Sequence, residues 1–313
     1  MADNQGFTDK KVLSSDGVHM LAGRVYVPEG APKGVFQVVH GMTEYIGRYD
    51  KLMRRLRDEG YVVFGYDHLG HGQTAVGDEE LGFIAHKDGW KRLVDDVGVF
   101  AKAVREEYGK ELPYYLLGHS MGSFIVRLAA SNYIGSANYQ KPDRLIVMGT
   151  GGPNPAAGAG LSMTKAAKAF KGEKAYSSLL EGLAFGSYNS HFKDENDVRS
   201  WLTKNTEERD KYRADKYCTF RFTVSALSDL MELTKNCNSK KWFESFPADV
   251  PVLLVSGSDD PVGDYGKGVT KVHDSLAANG KNVRMKLYEN NRHEILNDTA
   301  YPEVVRDILD FIK

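Results

Sequence analysis

The chain has 313 residues, a length that fits one large α/β domain with an insertion or two small domains. Its 41 basic and 42 acidic side chains give a formal net charge of −1, and without a long basic run this balance excludes a typical nucleic-acid-binding protein. The polar start of the chain is unlike a signal peptide, and no apolar run is long enough to span a bilayer.

The first part of the chain predicts a sheet with helices on both faces. A hairpin is predicted with strands at 11–13 and 19–21, followed by a further strand at 23–27. From residue 34 onwards, apolar runs of strand length alternate with segments of helical spacing. The predicted strands are 34–40, 61–66, 114–117 and 144–148, and the predicted helices are 49–59, 91–108 and 124–130. Such alternation is typical of a parallel sheet in an α/β fold.

This pattern breaks after residue 150 and resumes near residue 251. The intervening segment has a helical composition without buried-strand runs, and it opens with Gly151-Gly152-Pro153-Asn154-Pro155, which fits neither helix nor strand. The later elements are predicted as strands at 251–256 and 283–288 and helices at about 265–278 and 302–312. We therefore predict a core made of residues 1–150 and 246–313, with residues 151–245 inserted as a helical cap.

The segment Gly118-His119-Ser120-Met121-Gly122 has the G-x-S-x-G form of a nucleophile elbow. A turn this short between a strand and a helix strains the serine, and glycines two residues before and after it remove collisions. Ser120 is thus the predicted nucleophile, held at the positive end of a helix; the alternative is a serine that only caps that helix. His119 is predicted to be structural, because a residue adjacent to the nucleophile points elsewhere in such a turn.

A serine nucleophile needs a base, which in α/β hydrolases follows it in the chain and comes after an orienting carboxylate. Three histidines follow Ser120, and they are His191, His273 and His293. His191 falls in the predicted cap, and His273 falls inside a predicted helix. His293 follows a predicted strand, at the edge where α/β sheets place their sites, and is therefore the predicted base.

The carboxylate is expected at the end of the preceding predicted strand, where Asp259 and Asp260 are adjacent. The spacing from Gly257 favours Asp260, and Asp259 would then be a turn residue bonded to its own backbone. The oxyanion of the tetrahedral intermediate needs two backbone donors. We predict the N–H of Met121, directly after the nucleophile, and that of Met42, in the loop after the first central strand.

Several segments together resemble the monoacylglycerol lipase and lysophospholipase family of serine hydrolases, which is similar to the serine aminopeptidase S33 hydrolases. The matching segments are residues 40–44, 47–49, 67–73, 118–122, 257–260 and 288–293. The resemblance implies an α/β-hydrolase fold with a mostly parallel central sheet, helices on both faces and a helical cap. It also implies the triad Ser120, Asp260 and His293 with oxyanion donors at Met42 and Met121.

The resemblance only half supports recognition of a glycerol head group. Glu44 and Arg48 match the head-group side of the family's site, but Leu296 stands where glycerol-binding members carry a second histidine. In the cap, Leu180 and Phe185 either line an acyl tunnel or pack the cap onto the core. The segment 67–72 contains aspartate and histidine residues, but the resemblance makes it structural, so we predict no metal and no cofactor.

The sequence therefore predicts a serine-dependent carboxylic-ester hydrolase that acts on monoacylglycerols or related single-chain acyl esters through an acyl-enzyme. A lysophospholipase, thioesterase or acyltransferase on the same triad is the enzymatic alternative, and a ligand-binding module with an inactive site is the non-enzymatic one. Cap lysines (165, 168, 171 and 174) either contact a lipid surface transiently or form a solvated surface. Two cysteines without metal-like spacing favour a cytoplasmic setting.

Overall fold

The computed structural model describes residues 6–154 and 157–313, so the expectations for residues 1–5 and for Pro155 lie outside the described residues. The described residues form eight strands: β1 (Thr8–Leu13), β2 (Met20–Tyr26), β3 (Val35–Val39), β4 (Val62–Tyr66), β5 (Tyr114–His119), β6 (Arg144–Met148), β7 (Val252–Gly257) and β8 (Val283–Tyr288).

The same residues form ten α-helices: α1 (Asp50–Asp58), α2 (Gly89–Tyr108), α3 (Met121–Ala130), α4 (Ala157–Lys171), α5 (Ser178–Phe185), α6 (Thr206–Ala214), α7 (Val224–Cys237), α8 (Lys240–Ser245), α9 (Lys267–Ala278) and α10 (Tyr301–Ile312). Of the helices in the described residues, none is both long enough and apolar enough to cross a bilayer.

All eight strands join one sheet in the order β1-β2-β4-β3-β5-β6-β7-β8. The pairs β1–β2 and β2–β4 are antiparallel, and every other neighbouring pair is parallel. At the centre, Val35 of β3 lies opposite Val62 of β4 on one side and Tyr114 of β5 on the other. The predicted α/β fold with a mostly parallel central sheet is therefore confirmed.

One part of the strand prediction was wrong. The sequence predicted separate strands at 19–21 and 23–27, but the structure has the single strand β2 there. Gly23 continues this strand because its missing side chain makes room for a neighbour: a Cβ at this position would lie 2.3 Å from the ring of Phe100. The hairpin between β1 and β2 is confirmed, and Ser14 N–H donates to the carbonyl oxygen of His19 at its turn.

Helices cover both faces of the sheet. On one face, α2 and α3 contribute residues such as Phe100 and Ile125 to the core; on the other face, α1 and α10 contribute Leu52 and Ile308. Strands β3, β4, β5 and β7 are buried along their whole length, which explains their nearly continuous apolar sequences. Removing this apolar surface from water contributes about 25 cal/mol per Å² to stability.

The chain between β6 and β7 is helical. Its described residues form α4 to α8 and no strand. Helix α7 packs on α3, and α4 packs on α7 in turn. Leu227 and Leu233 of α7 belong to the same apolar cluster as the side chains of α3, so this chain segment extends the main core instead of standing apart from it.

Candidate active site

Ser120 lies at the turn between β5 and α3, where the backbone is strained. Its φ is 55° and its ψ is −123°, and such a conformation costs a non-glycine residue roughly 1–3 kcal/mol. A Cβ on Gly118 would lie 2.3 Å from the carbonyl oxygen of Gly122, and a Cβ on Gly122 would lie 2.2 Å from that of Val39. The side chain of Ser120 makes no capping hydrogen bond to α3, so the described contacts give no support to the capping alternative.

The structure brings Asp260 and His293 together. Asp260 follows β7 and His293 follows β8, and the carboxyl ends of these parallel strands meet at one edge of the sheet. Nδ1 of His293 lies 3.0 Å from each carboxylate oxygen of Asp260, and both side chains are buried. Nε2 of His293 is also buried and has no hydrogen-bond partner among the described residues.

Asp260 is held as a carboxylate by its neighbours. Burial alone would raise its pKa, but the charge and hydrogen bond of His293, together with Val262 N–H at 2.9 Å and the Ser256 hydroxyl at 3.0 Å, lower the pKa below its ordinary value. An ionised Asp260 accepts the Nδ1–H of His293, which leaves Nε2 as the basic nitrogen. This is the tautomer that a general base requires.

The neighbouring Asp259 has a different environment. Its carboxylate accepts a hydrogen bond from the hydroxyl of Ser258 at 3.0 Å, and it lies 3.8 Å from Nζ of Lys204. The described contacts of this carboxylate include no hydrogen bond to its own backbone. The structure therefore separates two adjacent aspartates into a buried partner of His293 and a partly exposed residue.

The other two histidines that follow the elbow lie away from this pair. His191 stacks on the ring of Tyr265, with centroids 4.2 Å apart. His273 lies on α9, where its Nδ1 is 2.9 Å from the carboxylate of the adjacent Asp274. Neither side chain approaches Asp260 within the described contacts.

His119, beside the nucleophile, is buried beneath the site. Its Nδ1 lies 2.8 Å from the hydroxyl of Tyr49, and its Nε2 lies 3.2 Å from the backbone carbonyl oxygen of His293. Burial would lower the pKa of His119, but the nearby Glu44 carboxylate raises it above the ordinary value. His119 therefore supports the loop that carries His293, in keeping with the structural role expected for it.

One predicted oxyanion donor follows Ser120 directly in the chain, and the other lies in a loop that comes close to it. Met121 begins α3 directly after it, and Met42 lies in the loop after β3. This loop comes very close to the nucleophile, since a Cβ on Gly41 would lie 2.9 Å from Cβ of Ser120. The N–H of Gly41 donates to Oε1 of Glu44 at 2.6 Å within this loop, and the same oxygen accepts the hydroxyl of the buried Tyr49 at 2.8 Å, which ties the loop to the core.

Glu44 and Arg48 belong to a buried network that includes a residue the sequence analysis missed. Nη1 of Arg48 donates to Oε2 of Glu44 at 2.8 Å and to Oε1 of Glu294 at 2.7 Å, and Nη2 donates to Oε2 of Glu294 at 2.8 Å. Burial would lower the pKa of Arg48, but the two carboxylates raise it well above its ordinary value. The position of Glu294, directly after the predicted base, was the available signal.

Burial also opposes ionisation of the two acids of this network. The hydrogen bond to His119 and the charge of Arg48 nevertheless lower the pKa of Glu44. The charge and hydrogen bonds of Arg48 do the same for Glu294, whose pKa lies below its ordinary value. All three members of the network are therefore charged, and their hydrogen bonds join the oxyanion loop to the loop that carries His293.

A cavity of about 780 Å³ lies over Ser120, within the size range of small-molecule sites. Ser120 and His293 line it together with both predicted oxyanion residues. One group of lining residues is polar or aromatic and consists of Glu44, Arg48, Trp201, Tyr212 and Glu294. A second group is apolar and comes from α4, α5 and α7: Met163, Leu180, Leu183, Phe185, Leu227, Leu230 and Met231. Leu180 and Phe185 thus lie on the cavity wall.

The histidine-rich segment after β4, residues 67–72, forms hydrogen bonds within the protein. The N–H of His68 donates to Nε2 of His40 at 3.0 Å, and Nδ1 of His71 lies 2.9 Å from the carbonyl oxygen of Leu69. Burial lowers the pKa of His71 to about 3, so this ring is neutral at physiological pH. Within residues 6–154 and 157–313, no group of three or more His, Cys, Asp or Glu side chains is arranged to hold a metal ion.

A mostly parallel sheet whose central strand runs through a strained serine into a helix is the architecture of the α/β hydrolases. The family model described as serine aminopeptidase, S33, matches residues 30–300, and the chain belongs to this family.

Individual relatives point to the same class of enzyme. The chain is 27% identical to a monoglyceride lipase of Rattus norvegicus, over 95% of this chain and 86% of that protein. It is 25% identical to a monoacylglycerol lipase of Mycolicibacterium smegmatis, over 96% of this chain and 98% of that protein. Its fold matches that of a thermostable carboxyl esterase from Bacillus coagulans, solved in complex with glycerol, with a TM-score of 0.90, 30% identity and 98% coverage of both chains. The prediction of a carboxylic-ester hydrolase is confirmed.

Proposed function

We propose that the protein hydrolyses monoacylglycerols and related single-chain acyl esters, with Ser120 as nucleophile and Asp260 and His293 completing the triad. The observation that carries this proposal is the buried Asp260–His293 pair, whose unpartnered Nε2 belongs to a residue lining the same cavity as Ser120. A base with a free nitrogen and a strained serine that share one cavity are the groups that acyl transfer requires.

In the proposed mechanism, Nε2 of His293 takes the proton of Ser120 as its Oγ attacks the ester carbonyl carbon. The carbonyl oxygen becomes an oxyanion, which the N–H groups of Met42 and Met121 stabilise by hydrogen bonds. His293 then protonates the departing alcohol, and an acyl-enzyme remains on Ser120. A water molecule, activated by His293, attacks this acyl-enzyme and releases the fatty acid.

We propose that the acyl chain lies along the apolar wall formed by Leu180 and Phe185. Each buried methylene contributes ~0.8 kcal/mol, so long single chains gain the most from this wall. Residues 151–245, as a cap over the core of residues 1–150 and 246–313, would roof the site and disfavour triacylglycerols, which carry two further chains. The monoacylglycerol substrates named for the relatives above support a single-chain substrate.

The alcohol would lie beside Glu44 and Arg48, at the polar part of the cavity. Both side chains are engaged with each other and with Glu294, so they offer a fixed charged surface and not a flexible clamp. Leu296 packs beside the apolar core at this end and offers no hydrogen bond to an alcohol. We therefore propose that glycerol is accepted but that small alternative alcohols such as methanol are tolerated.

We propose that the cap also makes a transient contact with a lipid surface. Met163, Phe170 and Leu183 are exposed by 40%, 90% and 64%, and the first and last of these also line the cavity. Lys165 and Lys171 are exposed on the same helix as Phe170 and would favour an anionic surface. Vesicle flotation tests this: Phe170→Ser should reduce binding to anionic vesicles, and equal binding would contradict the proposal.

We propose a reducing cytoplasm as the working compartment. Cys218 and Cys237 are both buried free thiols, a state that a reducing compartment preserves.

The proposed function is tested with a fluorophosphonate probe and a monoacylglycerol. The wild-type protein should be labelled at Ser120 and should release fatty acid, and Ser120→Ala should abolish labelling and lower kcat by roughly three orders of magnitude or more. Product analysis with water and with an added alcohol separates a hydrolase from an acyltransferase. Labelling at another serine, or a Ser120→Ala variant with a tenth of the wild-type activity, would refute the assignment.

A further inference from the structure

The oxyanion loop, residues 41–45, contains a strained residue directly after one proposed oxyanion donor. Thr43 has a φ of 50°, in the left-handed region that β-branched side chains rarely adopt. Such a conformation persists only where its surroundings hold it. If Thr43 relaxed towards ordinary backbone angles, the peptide groups on both sides of it would rotate. Met42, which is joined to one of them, would be displaced, and its N–H would no longer point to the same place.

The contact that holds Thr43 comes from the chain segment between β6 and β7. The hydroxyl of Tyr212, on α6, donates to the carbonyl oxygen of Thr43 at 2.9 Å. The same hydroxyl lies 2.9 Å from Oγ1 of Thr43, which can donate back to it. Tyr212 is buried, and it lies 169 residues away in the sequence. One hydroxyl thus makes two hydrogen bonds to the strained residue.

A second contact joins the same two parts of the chain. The hydroxyl of Tyr45, at the end of the loop, donates to Oδ2 of Asp215 at 2.8 Å, directly after α6. The ring of Tyr45 packs edge-on against Tyr217, with centroids 5.6 Å apart. On the core side, Oε1 of Glu44 accepts Gly41 N–H at 2.6 Å and the hydroxyl of the buried Tyr49 at 2.8 Å. The loop is therefore held by the core through Glu44 and by the α6 segment through Thr43 and Tyr45.

Helix α6 is itself well anchored, so it can serve as a fixed support. Asn205 caps its first turn by accepting hydrogen bonds from the N–H groups of Glu207 and Glu208. Arg209 is buried, and its Nη1 donates to Glu195 at 2.9 Å and to the hydroxyl of Ser200 at 2.6 Å. A rigid second layer of this kind is what keeps catalytic groups within a fraction of an ångström of their working geometry.

We propose that Tyr212 is a positioning residue for the oxyanion hole: by holding Thr43, it keeps the N–H of Met42 aimed at the developing oxyanion. The inference deepens the proposed function and rests on it. According to this inference, the α6 segment supports the chemical step in addition to forming part of the cavity wall. A displacement of about 1 Å can cost 100-fold in rate, and loss of one oxyanion donor costs about 100- to 1000-fold.

The test variant is Tyr212→Phe, which removes both hydrogen bonds but keeps the ring, over which the Arg48 guanidinium lies at 4.9 Å. We expect kcat for a monoacyl ester to fall about 10- to 100-fold while KM changes by less than about two-fold. The inhibition constant of a single-chain trifluoromethyl ketone should rise by the same factor, because its tetrahedral adduct places an oxyanion in the hole.

Tyr217→Phe is the matched control, since it makes the same chemical change in the same segment and its hydroxyl forms no hydrogen bond with any described residue. It should keep the wild-type kcat. Tyr45→Phe is a second test variant that should lower kcat in the same pattern but by less, and it carries the test if Tyr212→Phe does not fold.

Three results would overturn this inference but leave the proposed function standing: an unchanged kcat in both test variants, a raised KM with unchanged kcat, or a lowered kcat with an unchanged inhibition constant. A raised KM with unchanged kcat would instead indicate that Tyr212 contacts the alcohol of the substrate. A wild-type protein that neither hydrolyses esters nor reacts with a fluorophosphonate would overturn the proposed function and this inference with it. The two failures are therefore distinguishable by the behaviour of the wild type.

Discussion

Replacing Arg48 by methionine should destabilise the protein strongly, because the guanidinium is the shared partner of two buried acids. The side chain of Arg48 is 11% exposed, and those of Glu44 and Glu294 are 5% and 6% exposed. Methionine fills a similar space but leaves two carboxylates next to each other without a positive partner between them. Removing one partner of a buried ion pair typically lowers the free energy of unfolding by about 3–5 kcal/mol.

The pH dependence follows from the pKa directions. In the wild type, the pKa values of Glu44 and Glu294 are lowered on folding, so their contribution to stability is present above the unfolded value of about 4.3 and is lost as the pH falls through the folded values. In Arg48→Met, burial and mutual repulsion would instead raise at least one folded pKa. The free-energy difference between wild type and variant should therefore shrink as the pH is lowered from 7 towards 5.

Denaturant unfolding at pH 7 and pH 5 measures both quantities. Arg306→Met is the control, since Arg306 pairs with Glu303 and Asp307 at the exposed surface of α10 and its loss should change little. Adding Glu294→Gln to Arg48→Met should recover part of the loss, because only one buried charge then remains. A loss below about 1 kcal/mol at pH 7, or a larger loss at pH 5 than at pH 7, would show that the network is not a buried ion pair in solution.

Three further predictions concern the triad, the acyl wall and stability. Asp260→Asn should lower kcat about 10⁴-fold and Asp259→Asn only slightly, and similar losses in steady-state assays would contradict the assignment. Leu180→Trp should move the optimum of an ester chain-length series to shorter chains, unlike the exposed control Leu179→Trp. Burial raises the pKa of Asp229 to about 7, so the stability that this residue contributes is lost as the pH rises through 7. Asp229→Asn should therefore flatten the fall in Tm between pH 5 and pH 8. An unchanged slope of Tm against pH would refute this prediction.

The sheet could be predicted from sequence because its strands are buried on both faces. Runs such as 35–39 and 252–257 are almost entirely apolar, and this leaves little ambiguity about where they begin and end. The strand β2 was predicted less well, because in the sequence a glycine inside a strand near the sheet edge looks the same as a break between two strands. The elbow and the two loops after β7 and β8 were also predictable, because glycine and chain order constrain them locally.

The parts that were not predicted depend on contacts between distant residues. The sequence indicated helices between residues 151 and 245 without their limits. Helix α7, for example, packs against α2, α3, α4 and α8, so its buried residues do not mark a single apolar face. The position of Glu294 directly after the predicted base indicates a place near the site, but no local pattern marks it as the partner of Arg48, from which it is separated by 246 residues. The contact of Tyr212 with Thr43 is equally distant. Such pairings become visible only when the fold is known.

The chain between β6 and β7 contains two parts with different roles: helices α4 and α5, and the segment from Trp201 to Tyr212. The second part is hydrogen-bonded to the loop that carries His293. The carbonyl oxygen of Trp201 accepts His293 N–H at 3.4 Å, and that of Leu202 accepts Glu294 N–H at 2.7 Å. Because Tyr212 of the same part also holds the oxyanion loop, any movement here would displace both catalytic loops at once. Helices α4 and α5 make no described hydrogen bond to either loop, and they carry the exposed apolar residues at the mouth of the cavity. We therefore expect the cavity to open to substrate by movement of α4 and α5, while the segment from Trp201 to Tyr212 stays fixed with the core.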